Sequence, residues 1–277
     1  MSSSGASAST ARWGGREMGN FQTEAFLSFK ALFPWLQWWS YLSSVWIRPF
    51  MIAAMFAVVG RFAIGSDAAE RYLLGLAVAQ MVYLSAAGIL RTFGDDLWQG
   101  TLSHVLCSPV NRFRLYWARG LPHAVNGFLA FIACFISVWL ILDLDLTRVN
   151  WPAFATAIVL ICLSTTALVM ATSSLVIATR EHSILHQVVS GLLILLTGVV
   201  IPVSELPAVL RAVSEVLPMT HGLAGLRGAF SGEGFDAIGT DLLAEAAIGL
   251  VCTAAGFLVF KYVETKGREN GFLEGGA

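Results

Sequence analysis

Few residues in this sequence have the types and the spacing that chemistry requires. His182 and His186 stand four residues apart, a spacing that on a helix can hold zinc. No third ligand is near them and the HExxH order is absent, which favours a polar turn at a membrane surface. No GxxxxGK[ST] sequence occurs, so the chain has no loop of its own to cradle nucleotide phosphates. We predict no metal site, no cofactor and no catalytic residue in this chain.

An intramembrane enzyme would need converging groups at membrane depth, such as paired Asp, HExxH, or Ser with His. The apolar stretches of this sequence offer none of these sets. Asp241 and Glu245 lie near the outer end of the last stretch, where a carboxylate reaches water. We interpret them as interface residues, and the sequence disfavours an enzyme.

Six apolar stretches determine the fold class. A spanning helix needs roughly 20 apolar residues, and each stretch approaches that length. The six predicted spans are Leu42–Ile64, Tyr72–Leu90, Leu121–Leu142, Trp151–Thr179, Ile184–Val203 and Leu242–Phe260. The chain is 56% hydrophobic and 13% charged, against roughly 25% charged residues in a soluble domain. The sequence therefore predicts an all-α membrane protein with six transmembrane helices.

The placement of positive charge predicts the orientation. If the N-terminus is cytoplasmic, most arginines and lysines that flank the six spans lie on the cytoplasmic side, as the positive-inside rule requires. Both termini are then inside, with a disordered tail at residues 1–20, the six-span domain at residues 41–263 and a C-terminal tail at residues 264–277. The net charge of −1 gives no reason to expect nucleic acid as a partner.

Aromatic residues cluster just before the first span. Residues 21–40 contain Pro34 followed by Trp35, Trp38 and Trp39, and amphipathic rings of this kind lie at the headgroup level. We predict an interfacial amphipathic helix there. The alternative is an aromatic belt at the end of a longer first helix.

The cytoplasmic loop between spans two and three predicts a short amphipathic helix. Asp95 and Asp96 suit the first turn of a helix, where carboxylates meet the positive end of the dipole. Apolar residues follow at helical spacing, and Pro109 ends the segment. Such a helix either lies on the membrane or is presented to a partner protein.

This loop resembles that of the ABC-2 export permeases. Asp96-x-x-x-Gly100-Thr101-Leu102, followed by Leu106 and Ser108-Pro109, is similar to a motif that this family carries between its second and third spans. The resemblance implies that the segment is a coupling helix that docks into a separate ATPase subunit, which would hold ATP and Mg. The coupling residues so implied are Asp96, Leu97, Trp98, Gly100, Thr101, Leu102, Leu106 and Pro109.

A proline-bounded segment after span five extends the resemblance. Between Pro202 and Pro218, which also enclose Pro207, apolar residues share one helical face, and so few residues cannot cross a bilayer. We therefore predict a re-entrant or interfacial helical hairpin on the outer side. The family has a comparable hairpin before span six, followed by Pro-x-Thr and Leu-Arg, here Pro218, Thr220, Leu226 and Arg227.

The resemblance also implies where cargo passes. In that family spans one, two and five line the pathway, whose residues here would be Met55, Phe56, Gln80, Tyr83, Ser190 and Thr197. Six spans form half of such a pathway, so a homodimer or a pair with a related permease is implied. A lining of aromatics, methionine and hydroxyls suits a large amphipathic molecule. For any single residue of this set, contact with lipid or with another helix is the commoner explanation.

The expected function is the permease subunit of an ATP-driven ABC exporter in a bacterial plasma membrane, which moves an amphipathic drug-like, antibiotic or lipid-linked molecule. A polysaccharide or lipo-oligosaccharide exporter would share every motif. A non-transporting immunity or sensor subunit on the same scaffold stays open as a different class.

Overall fold

The computed structural model describes residues 38–63, 66–99, 112–179 and 181–269, and the regular secondary structure within them is helical. In chain order the helices are α1 (Trp38–Leu42), a π-helical turn (Ser43–Ile47), α2 (Arg48–Ala63), α3 (Ser66–Trp98), α4 (Arg112–Leu142), α5 (Trp151–Thr179), α6 (His182–Leu196), a 3₁₀ turn (Val203–Glu205), α7 (Ala208–Glu215), α8 (Thr220–Phe230) and α9 (Phe235–Glu269).

Within the described residues, five helical segments are long and apolar enough to cross a bilayer. They are Trp39–Gly60, Ala69–Asp96, Trp117–Leu142, Trp151–Val176 and Phe235–Tyr262. The prediction of an all-helical, multi-pass membrane protein is confirmed. The predicted tail at residues 1–20 and most of the interfacial helix at residues 21–40 lie outside the described residues, as do residues 270–277.

The first spanning segment is continuous through a π-helical turn. Pro49 has no N–H, and the backbone N–H of Arg48 instead bonds to the Ser43 carbonyl, one residue beyond the α-helical partner. Two backbone carbonyls near the proline accept hydrogen bonds from side chains of α4. Cys134 Sγ donates to Pro49 O at 3.2 Å, and Ser137 Oγ donates to Phe50 O at 3.0 Å. These bonds fix the first segment against α4.

Helix α3 is the centre of the bundle. It packs against α2, α4, α5 and α6, and most of its apolar side chains are buried. Helix α9 packs mainly along α5 and α8, and much of its apolar surface is exposed. A helix that packs against neighbours on all sides is apolar along its whole length, as α3 is over Tyr72–Leu90.

The fifth predicted span is shorter than expected. Helix α6 has 15 residues, roughly 22 Å at the usual rise per residue, whereas the hydrocarbon core is about 30 Å thick. The helix ends at Leu196 rather than continuing to Val203, because Gly198 adopts a φ of 84°, the left-handed conformation that closes helices. The described residues thus contain five full-length candidate spans and one short apolar helix.

The predicted proline-bounded hairpin contains two helices. Pro202 and Pro207 precede the 3₁₀ turn and α7, and Pro218 is buried at the entrance to α8. Val209 and Val213 of α7 are exposed, as expected for an apolar face that meets lipid. Helix α8 returns into the bundle against α5 and α9. The helical segment that begins after Pro202 therefore extends to Phe230, beyond the predicted end at Pro218, and its re-entrant position stays a prediction.

Candidate functional site

The proposed coupling end differs from the sequence expectation. Asp95 and Asp96 were expected in the first turn of a new helix, but α3 continues through Trp98 and places them in its last turn. Carboxylates are unfavourable at the negative end of a helix dipole. Two arginines offset this unfavourable interaction with the dipole, because Arg91 pairs with Asp95 at 3.5 Å and Arg119 of α4 forms an ion pair with Asp96.

The Asp96–Arg119 pair joins the ends of α3 and α4. Both side chains are mostly buried, and the Arg119 guanidinium also lies 5.8 Å from the ring centroid of Phe93. Trp98, at the end of α3, is 79% exposed. The other coupling residues, Gly100, Thr101, Leu102, Leu106 and Pro109, lie outside the described residues, and so does the Leu97 side chain. The structure thus describes the base of the predicted coupling segment.

The two histidines of the turn after α5 are occupied by other contacts. Gly94 of α3 lies against the His182 ring, so closely that an added Cβ would lie 2.8 Å from His182 Nδ1. His186 Nε2 donates to the Tyr83 carbonyl at 3.1 Å, and its ring packs edge-on against the Tyr83 ring. Among the described residues no group of three metal-ligating side chains comes together. Both histidines bind α6 to α3.

Tyr83 joins three of the helices that the family resemblance implicates. The Arg48 guanidinium of α2 lies 5.3 Å from the Tyr83 ring centroid, and the His186 ring of α6 lies 4.5 Å from it. A cation over an aromatic face is attracted by the ring quadrupole. The cluster Arg48–Tyr83–His186 therefore holds α2, α3 and α6 together within the membrane region.

The remaining predicted pathway residues differ in their burial. Met55 is exposed, Gln80 is half-buried, and Phe56 packs edge-on against Tyr72. Ser190 and Thr197 are buried against the bundle, where Thr197 Oγ1 donates to the Leu193 carbonyl. In the part of the chain that the structure describes, Ser190 Oγ has no hydrogen-bond partner. Their role as pathway residues stays a prediction.

A buried polar strip between α3 and α4 was missed by the sequence reasoning. Thr92 Oγ1 lies 2.9 Å from His123 Nε2, and Ser85 Oγ donates to the His123 carbonyl at 3.2 Å. Farther along α4, Asn126 Oδ1 accepts a hydrogen bond from Tyr41 of α1 at 2.8 Å. His123 and Asn126 carry no formal charge, so the Leu121–Leu142 stretch was described as uncharged and apolar. Two polar side chains within an apolar stretch could have indicated helix-to-helix hydrogen bonds.

The interpretation of Glu245 as a water-accessible interface residue is wrong. Its side chain is fully buried between α5, α8 and α9. Glu245 Oε1 accepts from the Met219 backbone N–H at 2.7 Å and from the Ser164 hydroxyl, and Oε2 accepts from the Gly222 N–H at 2.9 Å. Asp241, one turn earlier, is a half-buried carboxylate that lies 3.4 Å from His221 Nδ1.

This carboxylate caps the first turn of α8. Met219 occupies the N-cap position with a φ of 84° and offers no side-chain acceptor, so the first N–H groups of the helix need another partner. Glu245 supplies it from α9, at the end of the helix where negative charge is favoured. The sequence signal was a helix start without a capping residue, together with a single carboxylate within an apolar stretch.

Arg227 fixes the other end of α8. Its Nη2 donates to the Arg71 carbonyl at 3.1 Å and to the Gly198 carbonyl at 3.0 Å. Gly75 of α3 makes room for this approach, since a Cβ there would lie 3.0 Å from Nη2. The Leu-Arg pair noted in the sequence thus places a guanidinium where α3, α6 and α8 meet.

These observations describe one helical unit with two specialised ends. One end carries the ion pair and the exposed tryptophan that precede the Gly100–Pro109 motif, and the other carries the hairpin of α7 and α8. No curated protein sequence matches the chain. Residues 41–258 match the ABC-2 family transporter proteins, over nearly all of every candidate span. The chain therefore belongs to the ABC-2 transporter family and is a multi-pass membrane permease subunit of an ABC transporter.

Proposed function

We propose that the chain is the permease subunit of an exporter that moves an amphipathic drug-like, antibiotic or lipid-linked molecule out of the cytoplasm or the inner leaflet. The observation that carries the proposal is the family match over residues 41–258, which includes the Asp96–Pro109 motif. The charge distribution supports both termini in the cytoplasm, and the membrane we propose is the bacterial plasma membrane.

Energy would come from the ATPase subunit with which such permeases work. The ATPase would dock on the segment from Asp96 to Pro109. The Asp96–Arg119 ion pair supports this, because a displacement of the segment would pass to α3 and α4 together. Trp98 offers a large apolar side chain to a partner at this end of the bundle.

A second permease would complete the pathway. Apolar side chains on one face of α2 and one face of α6 are exposed, and lipid or another protein must cover them. The exposed residues are Met51, Met55, Val58, Val59, Ile184, Val188, Leu192 and Leu195. Because the pathway of the resembled family runs along these helices, we propose that a second copy or a related permease faces them.

The test is ATP hydrolysis by the chain co-purified with the ATPase encoded beside it, in lipid and with a panel of amphiphiles. Stimulation that needs both chains and one class of compound would support the proposal and begin to identify the cargo. Stimulation by lipid-linked saccharides alone would instead identify a polysaccharide or lipo-oligosaccharide exporter. ATPase binding without transport by any compound would indicate an immunity or sensor subunit.

The matched variants for this test are Gly100→Trp and Gly239→Trp. Gly100 lies in the proposed docking segment, whereas Gly239 lies on α9 with no atom within 4 Å of an added Cβ. Gly100→Trp should abolish stimulation and leave the chain folded, and Gly239→Trp should keep stimulation at the wild-type level. Full stimulation in Gly100→Trp would show that the docking assignment is wrong.

A further inference from the structure

A cavity of about 570 Å³ lies at the hairpin end of the bundle. Three helix ends supply its wall, with Arg71 and Leu74 from α3, Gly198 and Val199 after α6, and Arg227 and Phe230 from α8. We call it the hairpin cavity. Its size falls within the range of small-molecule sites.

Arg227 brings an incompletely bonded guanidinium to this cavity. Two backbone carbonyls accept from its Nη2, and neither carries a formal charge. Among the described residues its Nε is buried without a hydrogen-bond partner. A buried donor left without a partner is costly, so a ligand that accepts from Nε would be favoured.

The charge on Arg227 is also not offset by its neighbours. Burial, and then the positive charge of Arg71, lower the pKa of Arg227 to about 10, which leaves it cationic at neutral pH. Within the described ranges neither guanidinium forms an ion pair with a carboxylate. The cavity thus brings together two cations that repel each other, and an anion between them would relieve the repulsion.

Two carboxylates, Glu70 and Glu233, line the same cavity. The Glu233 carboxylate lies against α8, since a Cβ on Gly228 would be 2.6 Å from its Oε2. Because a carboxylate repels an anion, Glu70 and Glu233 restrict an anion to the side of the cavity formed by the two arginines.

Part of the remaining wall is apolar. Leu74, Val199 and Phe230 line the cavity together with the arginines and belong to the hydrophobic core, and Tyr72 and Ser231 add polar groups. A ligand that fits has a charged head and an apolar portion. We propose that the hairpin cavity binds the oxyanion headgroup of an amphiphile, with Arg71 and Arg227 as its cationic contacts. The proposal goes beyond export, because it holds for a bound lipid as well as for a cargo molecule.

The experiment measures binding of radiolabelled dodecyl phosphate to the full chain in an uncharged maltoside detergent, without the ATPase. The main variant is Arg71→Gln, because the Arg71 side chain is exposed and makes no hydrogen bond that supports the described fold. Arg227→Lys is the second variant, which keeps the charge but removes Nε. The control is Arg148→Gln, an exposed arginine on the Asp143–Asn150 connection that pairs with Asp145 and does not line the cavity.

We expect saturable binding by the wild type and by Arg148→Gln. Arg71→Gln should bind about tenfold more weakly, the loss expected for one charge-assisted hydrogen bond. Arg227→Lys should also weaken binding, and because it loses the bonds to the Arg71 and Gly198 carbonyls it should unfold at a lower temperature than Arg71→Gln. Dodecyltrimethylammonium should not compete. Absence of saturable binding, or equal binding by Arg71→Gln and the wild type, would overturn the proposal.

Competition distinguishes the two sources of the headgroup. If phosphatidylglycerol displaces dodecyl phosphate, a bilayer lipid occupies the cavity. If it does not displace the probe, the site takes a smaller amphiphile such as a cargo molecule. The binding assay contains no ATPase, so the absence of binding would not contradict the proposed export function. Failure to find an ATPase partner would likewise not contradict binding of the amphiphile.

Discussion

The Glu245 carboxylate on α9 accepts a hydrogen bond from the Gly222 backbone N–H on α8, at 2.9 Å, inside the bundle. The same carboxylate accepts from Met219 and from Ser164 of α5. A single side chain thus satisfies the start of α8 and links it to two spanning helices. The hairpin of α7 and α8 is anchored by this contact as well as by its prolines.

Replacing Glu245 by Ala should destabilise the folded chain strongly. It leaves the Met219 and Gly222 N–H groups and the Ser164 hydroxyl without acceptors, and each unsatisfied buried donor costs about 1–3 kcal/mol. Glu245→Gln keeps an acceptor oxygen and should lose less. Thermal unfolding followed by tryptophan fluorescence measures both. Asp241→Asn is the control on the same helix, with an expected cost below about 1 kcal/mol because its contact is partly exposed. A similar loss in Asp241→Asn and Glu245→Ala would contradict the anchoring role.

Gly222 is required by the same contact. A Cβ there would lie 2.3 Å from Ile161 Cγ1 and 3.1 Å from Glu245 Cδ. We expect Gly222→Ala to cost about 1–3 kcal/mol through overpacking. Gly239→Ala should be neutral or stabilising, since nothing lies within 4 Å of that position and alanine favours a helix. In an Ile161→Ala background the Gly222→Ala penalty should shrink, and a double-mutant cycle by thermal unfolding checks this. Strict additivity would argue against the Ile161 contact as the cause.

The helices and the Glu245 contact show which parts of the fold and of the site the sequence could predict. Long uncharged stretches predicted α3, α4 and α5, because a buried or lipid-facing helix must be apolar along its length. The end of α6 depended on a left-handed Gly198, which a hydropathy pattern does not record. The burial of Glu245 depended on a partner 23 residues away on another helix, and a position near a span end suggested water instead.

The end of α3 also shows that local sequence preference cannot predict a contact between distant residues. Asp95 and Asp96 have the composition of a helix start, and local preference alone favours that assignment. Arg119 lies 23 positions away on α4 and stabilises Asp96 at a helix end instead. Tertiary contacts therefore reversed a local preference. The family motif identified the same segment through its sequence order, independently of the helix boundary.

A charge exchange between Asp96 and Arg119 separates a structural role from a docking role. Asp96→Arg alone places two cations together at the mostly buried pair and should cost about 3 kcal/mol or more. The double variant Asp96→Arg with Arg119→Asp restores an ion pair and should recover most of the unfolding temperature. If Asp96 also meets the ATPase, stimulation of ATP hydrolysis stays low in the folded double variant. Full recovery of both readouts would assign Asp96 to the fold alone.

The Tyr83 ring, rather than its hydroxyl, should matter at the junction of α2, α3 and α6. Tyr83→Phe keeps the face below Arg48 and the edge contact with His186, so we expect wild-type stability and cargo-stimulated ATPase activity. Tyr83→Leu removes both contacts and should cost about 1–2 kcal/mol. The cargo concentration that half-maximally stimulates the ATPase should rise in Tyr83→Leu if this junction lines the pathway. A stability loss with unchanged stimulation would restrict Tyr83 to packing.

The prolines of the hairpin of α7 and α8 should affect export without affecting ATPase binding. Pro202 and Pro207 precede the 3₁₀ turn and α7, where their fixed φ reduces the freedom of the chain. Replacing both by Ala should cost about 1 kcal/mol in total and loosen this hairpin. Arg71, which lies near the hairpin, and Asp96, the proposed docking residue, are separated along α3 by roughly 37 Å, so docking should persist. The double variant should co-purify with the ATPase at the wild-type ratio and transport cargo at an altered rate in proteoliposomes. Loss of co-purification in a chain that unfolds at the normal temperature would show that the hairpin and the coupling end are not independent.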